Sequence, residues 1–399
     1  MLNPAEQPAR RLGLPLTEEQ LLIGDSARSF GRDRLAPGAA ARDHDGTFPM
    51  EFMGALAEMG LLAMKVASED GGVGTDNVGY LLAIEGIAES CASTAVVLSS
   101  SNMAAYIVAQ HGSPEQRERW LRPYADGELG PLSFALSEPH SGSDAAALTT
   151  TAVKDGDSYV LNGSKMWITS GAYAGAHVVF ARVVPADGPA PTGSGGISCF
   201  VVERGTPGLT IGREEDKMGQ RASGTVALFF EDCRVPAENL VGAPGRGYGI
   251  ALSALGAGRV GIAGLSLGIG ERAFAEGLAY AGQRKAFGRR VADFQNSQFV
   301  LADVRTQLDA AWLLSLRAAL LLDSHGRAPM ESSMAKMFAT EAAHKAVDDM
   351  LQLHGGYGYS REYAIERLYR DARVTRIYEG TSEIQRVVIA REILRCLDD

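Results

Sequence analysis

A hydrophobic period that switches twice along the chain limits its architecture more than any other feature. Over residues 17–124 apolar side chains recur near helical spacing, as at Phe52, Leu56, Met59 and the 61–64 run, and again over 80–89. Beyond Gly130 the pattern becomes short β-prone runs at 159–161, 165–169, 177–181, 197–202 and 226–230. After Pro244-Gly245 helical stretches return over 260–280, 295–323, 332–353, 363–371 and 382–397. The expected division is therefore a helical unit over 1–130, a β unit over 131–245 and a helical bundle over 246–399. Asn162-Gly163, lying between two β-prone runs, predicts a type I′ hairpin turn. The Pro/Gly-rich segment 185–196 predicts a surface loop.

Charge and cysteine usage remove whole classes of function. A formal net charge of -10 argues against a sequence-independent grip on nucleic acid or an anionic membrane. A phosphate-bearing ligand would need a few focused Arg or Lys residues and helix N-termini instead. Cys91, Cys199, Cys233 and Cys396 form no CxxC pair, so reduced thiols are expected, with no zinc site and no disulfide framework. The first 20 residues show no apolar h-region and no Arg/Ser-rich amphipathic pattern. The expected location is cytoplasmic, or the mitochondrial matrix if a transit peptide has been removed. Apolar stretches such as 313–322 are interrupted by polar residues, here Ser315 and Arg317, and read as too short to cross a bilayer.

Two short patterns suggestive of other chemistry fit better as packing. Gly264-Leu265-Ser266-Leu267-Gly268 has the G-x-S-x-G form, but a nucleophile elbow needs a preceding strand, and residues 259–262 read as helix. Ser333-Met334-Ala335-Lys336 has the S-x-x-K form, yet it falls mid-helix without an S-D-N or K-T-G partner. The histidines include no H-E-x-x-H, and no Gly-rich stretch has P-loop or strand-led G-x-G-x-x-G context. Metal-dependent hydrolysis and Rossmann-type nicotinamide binding are therefore not expected.

The segment from Tyr369 to Glu383, Y-R-D-A-R-V-T-R-I-Y-E-G-T-S-E, is of another kind. Glu379 stands between Tyr378 and Gly380, just before a helix start marked by Ser382 and Gln385 at capping-box spacing. A carboxylate beside an aromatic ring in a partly apolar site has its charged form disfavoured, which raises its pKa toward values suited to proton abstraction. A plain loop acid ahead of a helix is the structural alternative, and these residues alone leave both open.

The run Ile377-Tyr378-Glu379-Gly380-Thr381-Ser382-Glu383-Ile384-Gln385-Arg386 resembles the signature of the acyl-CoA dehydrogenase family. Phe134-Ala135-Leu136-Ser137-Glu138-Pro139 through Gly142-Ser143-Asp144 resembles that family's first signature, and Asn162-Gly163-Ser164-Lys165 with Trp167-Ile168-Thr169 resembles its flavin strand. Residues 217–223, 230–232, 284–288 and 353–358 match in the same order. The resemblance implies an α+β multidomain fold with an N-terminal helical domain, a middle β-barrel and a C-terminal helical bundle. It also implies bound FAD, an acyl-CoA substrate, and a homotetramer built as a dimer of dimers.

Residue roles follow from the same resemblance. Phe134, Leu136, Ser137 and Ser143 would lie beside the FAD, with Ser143 also reaching the acyl-CoA. Trp167, Ile168 and Thr169 would cover the flavin face away from substrate. Arg284, Phe287, Gln295, Gln352, Gly355 and Gly356 would hold the ADP half across a subunit boundary, and Thr381 and Glu383 would complete the cofactor contacts. Arg259 and Gly380 would join Ser143 on the substrate. Gly256 stands where relatives often carry Asp or Asn, and Gly258 where some carry their base, which leaves Glu379 as the matched base.

The implied reaction is α,β-dehydrogenation of a short- to medium-chain acyl-CoA, straight or 2-methyl-branched, to the trans-2-enoyl-CoA. Glu379 would take the α-proton, flavin N5 the β-hydride, and an electron-transferring flavoprotein would reoxidise the cofactor. Rival readings are an acyl-CoA oxidase-like enzyme reoxidised by oxygen and a non-catalytic acyl-CoA- or flavin-binding scaffold.

Overall fold

The computed structural model describes residues 12–185 and 189–397, together with Pro8. Sequence readings that fall on residues 1–7, 9–11 and 186–188, or on the Cys396 side chain, lie outside the described residues. Helices come first: α1 (Glu18–Phe30), α2 (Ala39–Asp45), α3 (Met53–Glu58), α4 (Asn77–Ala88), α5 (Ala92–His111) and α6 (Pro114–Ala125). Two of them begin where the sequence supplies reciprocal capping boxes, Thr17 with Gln20 for α1 and Ser113 with Gln116 for α6. Every residue of α4 is buried, because α1 covers it on one side and helices of the C-terminal bundle on the other.

Eight strands follow: β1 (Leu132–Ala135), β2 (Thr151–Asp155), β3 (Ser158–Ile168), β4 (Ala176–Val184), β5 (Ile197–Glu203), β6 (Leu209–Glu214), β7 (Val226–Pro236) and β8 (Leu240–Val241). They form one sheet in the order β6-β7-β3-β2-β4-β5-β8, with β1 beside β4. The expected barrel does not close. One edge of β4 is divided, pairing with β1 over 176–179 and with β2 over 182–184. The outer strands β6 and β8 are unpaired with each other, and β8, at two residues, is too short to carry a closing ladder.

The predicted hairpin at Asn162-Gly163 is a second correction. Both residues lie inside β3, where its pairing with β7 shifts register. Gly163 has φ +143°, and a Cβ there would come 2.6 Å from Thr150 Oγ1, so glycine serves a bulge and a close backbone approach. The tight turn of this ladder is Gly156-Asp157, between paired Asp155 and Ser158, with Gly156 at φ +59°.

The C-terminal bundle comprises α7 (Gly247–Gln283), α8 (Gln295–His325), α9 (Pro329–His354), α10 (Ala364–Arg373) and α11 (Ser382–Leu394). A small ribbon, β9 (Lys285–Ala286) with β10 (Arg289–Arg290), separates α7 from α8. The G-x-S-x-G pattern sits inside α7 as a contact stripe. A Cβ at Gly264 would meet Leu81 O at 2.8 Å and one at Gly268 would meet Glu85 O at 2.4 Å, so α7 and α4 touch backbone to backbone. Contrary to the sequence reading, two helices have the length and hydropathy to cross a bilayer, α5 with mean hydropathy 1.3 and α7 with 1.5. Their apolar windows are 89% and 72% buried within the fold, which marks them as core helices.

Candidate active site

The turn 378–380 joins a short 3₁₀ segment, Val374–Arg376, to α11. Glu379 has φ +51° and Gly380 φ +90°, so two successive residues are left-handed. For a residue with a Cβ that conformation costs about 1–2 kcal/mol, and persists only where surrounding bonds enforce it. Gln385 Nε2 donates to Glu379 O (3.1 Å) and to Gly380 O (2.9 Å). Lys336 Nζ, from α9, donates to the same Gly380 O at 2.8 Å. The N-cap of α11 is Thr381, whose hydroxyl accepts from Ile384 N. The predicted Ser382–Gln385 box is thus replaced. Ser382 Oγ donates to Glu341 at 2.7 Å, while Gln385 is engaged by the turn.

Glu379 is half-buried by area, but its Oε2 is fully buried and makes no hydrogen bond. Burial raises its pKa to about 7, against the opposing charges of Lys336 and Arg259. Gly258 of α7 lies directly alongside, since a Cβ there would come 2.5 Å from Glu379 Oε2 and 2.8 Å from Met103 Sδ. The next α7 residue, Arg259, is buried and donates to Ser333 Oγ at 3.2 Å, while its Nε has no partner among the described residues. Tyr80 of α4 is buried within reach of the same charge, with its hydroxyl 3.2 Å from Ser99 Oγ. Glu379 is therefore a carboxyl poised near neutrality, with the buried cations Arg259 and Lys336 and the Tyr80 hydroxyl within electrostatic reach and Met103 alongside it at Gly258.

The sheet docks on this turn through the loop before β7. Gln220 Nε2 donates to Tyr378 Oη at 3.2 Å and to Asp371 O at 3.0 Å, and the Gln220 N–H donates to the Asp371 carboxylate. A Cβ at Gly219 would meet Arg370 O at 2.3 Å, so this loop requires glycine there.

A second group forms where two segments of the resemblance meet. Met166 N donates to Ser137 O at 2.9 Å, which sets the Phe134–Ser137 stretch against Trp167, Ile168 and Thr169. Lys165 Nζ donates to Leu136 O (3.2 Å) and to Glu138 Oε1 (2.8 Å), an ion pair with both side chains out of solvent. Phe134, Ser137 and Thr169 are half-buried, Leu136 and Ile168 are buried, and Ser143 is exposed. Trp167 is held at φ +64° yet 59% exposed, an arrangement that presents a flat ring to solvent from a strained backbone.

A third group lines a cavity of about 500 Å³ that contains Arg284, Gln352, Gly355 and Gly356 with Tyr280 and Tyr357. The Arg284 guanidinium lies 5.4 Å from the Tyr357 ring centre, over its face. At Gly355, which has φ +59°, and at Gly356 a Cβ would meet nothing within 4 Å, which leaves their backbone open to a ligand. Phe287 projects 97% exposed at φ +51°, and Gln295 opens α8; neither lines the cavity. Glu383 is exposed in the first turn of α11, and a Cβ at Gly256 would meet Leu322 at an ordinary 3.7 Å. Of the predicted residues, Glu379, Gly380, Thr381 and Arg259 thus fall in one group, Phe134, Leu136, Ser137, Trp167, Ile168 and Thr169 in a second, and Arg284, Gln352, Gly355 and Gly356 in a third, while Phe287 and Gln295 lie outside the third.

Sequence reasoning missed Lys336, Gln385, Tyr80 and Gln220 as parts of the site. Lys336 carried one usable signal, a lysine on the Ala-rich face shared by Ala335, Ala339 and Ala343 of α9, where a charge has no reason to be buried without a partner.

Known proteins share this order of domains. Family models for the acyl-CoA dehydrogenase N-terminal, middle and C-terminal domains match residues 17–128, 133–233 and 245–394. The short-chain specific acyl-CoA dehydrogenase of Mus musculus mitochondria is 46% identical over 95% of this chain and 91% of its own length. Butyryl-CoA dehydrogenase from Megasphaera elsdenii superposes with TM-score 0.91 at 38% identity, covering 96% of this chain and 99% of that one. A chain from the electron transferring flavoprotein structure of Acidaminococcus fermentans superposes equally, with TM-score 0.91 at 40% identity and coverage of 96% and 99%. A helical, sheet and helical order matched domain by domain, with relatives 46% identical over 95% of the chain, makes this chain an enzyme of the acyl-CoA dehydrogenase family, a family of flavin oxidoreductases.

Proposed function

We propose that this chain is a short-chain acyl-CoA dehydrogenase that removes the α-proton and β-hydride of a saturated acyl-CoA to give the trans-2-enoyl-CoA. The observation that carries the reading is Glu379 itself. Its Oε2 is buried without a hydrogen bond and its pKa is raised to about 7, the state expected of a base awaiting a carbon acid.

The residues present fit FAD. Trp167 and Phe287 are large, exposed and backbone-strained, and the Arg284 cavity joins a guanidinium to open glycine backbone, as a nucleotide's aromatic and phosphate parts require. Trp167, Ile168, Thr169, Phe134, Leu136, Ser137 and Ser143 would hold the flavin end, and Arg284, Phe287, Gln295, Gln352, Gly355 and Gly356 the ADP end, with Thr381 and Glu383 beside it. FAD, when bound, supplies the acceptor for the β-hydride.

The chain supplies the rest. Glu379 receives the α-proton on a carboxylate kept out of water, while its backbone N–H serves as a donor to the thioester oxygen as negative charge gathers there. Arg259 and Lys336 favour the charged carboxylate before the proton arrives. Likeness to a short-chain specific acyl-CoA dehydrogenase and to butyryl-CoA dehydrogenase supports short, straight acyl chains over long ones. An electron-transferring flavoprotein is the acceptor this reading implies, in keeping with the Acidaminococcus fermentans structure. An oxidase-like or non-catalytic role has no feature here in its favour.

The test is anaerobic flavin reduction by butyryl-CoA in the wild type and in Glu379→Gln. The variant should keep FAD and bind substrate while losing about two to four orders of magnitude in rate. A near wild-type rate in Glu379→Gln would remove Glu379 from the mechanism.

A further inference from the structure

Lys336 has 0% exposure and sits on the Ala-rich face of α9. Among the described residues its hydrogen bond goes to Gly380 O at 2.8 Å, at the left-handed turn that holds Glu379. A buried ammonium on a single neutral carbonyl is costly unless an opposite charge lies near it. The other acids that face it are engaged elsewhere or exposed. Glu341 is taken by Ser382 Oγ (2.7 Å) and Arg376 (2.9 Å), and Glu383 is in solvent. The Glu379 carboxylate is the acid that remains. Ser333, one turn earlier on α9, accepts from Arg259, so both polar members of the S-x-x-K pattern bear on the Glu379 turn, Lys336 through Gly380 O and Ser333 through the arginine.

We propose that Lys336 is a positioning residue for the reaction, holding the strained Glu379 turn through Gly380 O and keeping the Glu379 carboxylate in its proton-accepting form. The inference rests on the reading of Glu379 as the base. The groups facing that carboxylate are Lys336 from α9, Arg259 from α7 and Tyr80 from α4, with Tyr378 next to it in the chain. Glu341 and Glu383 face Lys336, Arg391 of α11 faces Arg259, and Asp371 of α10 faces Tyr378. Burial drives the Lys336 pKa down to about 8, while the charge of Glu379 opposes that fall, so each group favours the charged form of the other. Gln385 supplies the comparison within the same site, because it binds Gly380 O, and Glu379 O beside it, without a charge.

The test separates charge from scaffolding. In the FAD-loaded enzyme, the carboxyl infrared band that disappears in Glu379→Gln is titrated against pH, and the acid limb of kcat for butyryl-CoA is recorded alongside. Lys336→Gln, a neutral donor, and Lys336→Met, with neither charge nor donor, should each raise the titration midpoint by about one pH unit or more. Lys336→Arg should leave it near the wild-type value, and Gln385→Leu should slow reduction without moving it. FAD content and Tm identify any variant that does not fold, and either neutral variant suffices. A wild-type midpoint in a folded neutral variant, or an equal shift in Gln385→Leu, overturns the proposal. Failure of the base reading would show differently, as flavin reduction that survives in Glu379→Gln.

Discussion

Glu379 combines two costs, a left-handed backbone and a buried carboxyl, and both lead to measurable consequences. Its folded pKa, about 7, lies above the ordinary carboxylate value of 4.5. Between those values the folded chain binds more protons than the unfolded one, so this residue's contribution to stability is complete below about pH 4.5 and lost as pH rises through about 7. Glu379→Gln carries no such charge, and its Tm should exceed that of the wild type by a margin that widens from pH 5 to pH 8, worth up to about 3 kcal/mol. Parallel melting curves across that range would contradict the assignment of a raised pKa. The neighbouring Gly258 sets a second expectation. Because a Cβ there would come 2.5 Å from Glu379 Oε2, Gly258→Glu cannot be added to an intact Glu379 without displacement. Combined with Glu379→Gly, which also relieves the left-handed strain, it places a carboxylate beside the same space. Single-turnover flavin reduction should recover part of the rate lost in Glu379→Gly, and a folded double variant with no recovery would show that the two positions are not interchangeable.

At the scale of elements, α11 ties catalysis to helix capping. Thr381 caps its first turn and sits two residues from Glu379, so Thr381→Ala should cost about 1 kcal/mol of stability and slow flavin reduction together. Stability lost at an unchanged rate would mean that the turn is held by Lys336 and Gln385 alone. The same helix shows where reading ahead from residue types goes wrong. Ser382 and Gln385 have the spacing of a capping box, but the register is one residue earlier, because Gln385 gains two carbonyls of a strained turn by facing inward. Asn162-Gly163 erred for a similar reason. The dipeptide permits positive φ, and inside β3 that freedom is used to bring the backbone against Thr150 rather than to reverse the chain. The reversal fell to Gly156-Asp157, a signal just as local.

For the whole molecule, substrate length and assembly are the properties at issue. Met103 lies with Glu379 against Gly258, and on the short-chain reading kcat/KM for butyryl-CoA should exceed that for palmitoyl-CoA by about tenfold or more. Met103→Ala should narrow that ratio. Equal efficiency on both substrates would place the acyl chain elsewhere. A cofactor shared between subunits at the Arg284 cavity is the expectation carried by the resemblance of residues 284–288 and 353–358. Arg284→Ala should therefore lower FAD occupancy and weaken a tetramer in sedimentation, whereas a fully loaded monomer would rule out sharing.

The order of helical, sheet and helical units was legible because periodicity is a local property of each segment, and caps such as Thr17–Gln20 and Ser113–Gln116 are written within four residues. Glu379 was singled out by the resemblance of a contiguous run, since its aromatic neighbour alone left a plain loop acid open. Whether the sheet closes was not, since that depends on how β4 divides one edge between β1 and β2, two strands that reach it in parallel from different stretches of the chain. Nor were the groups that set the raised pKa of Glu379. Lys336, Arg259, Tyr80 and Gly258 come from three helices far apart in the chain, and only their convergence in a buried, low-dielectric space turns four ordinary residues into the field that sets one proton's affinity.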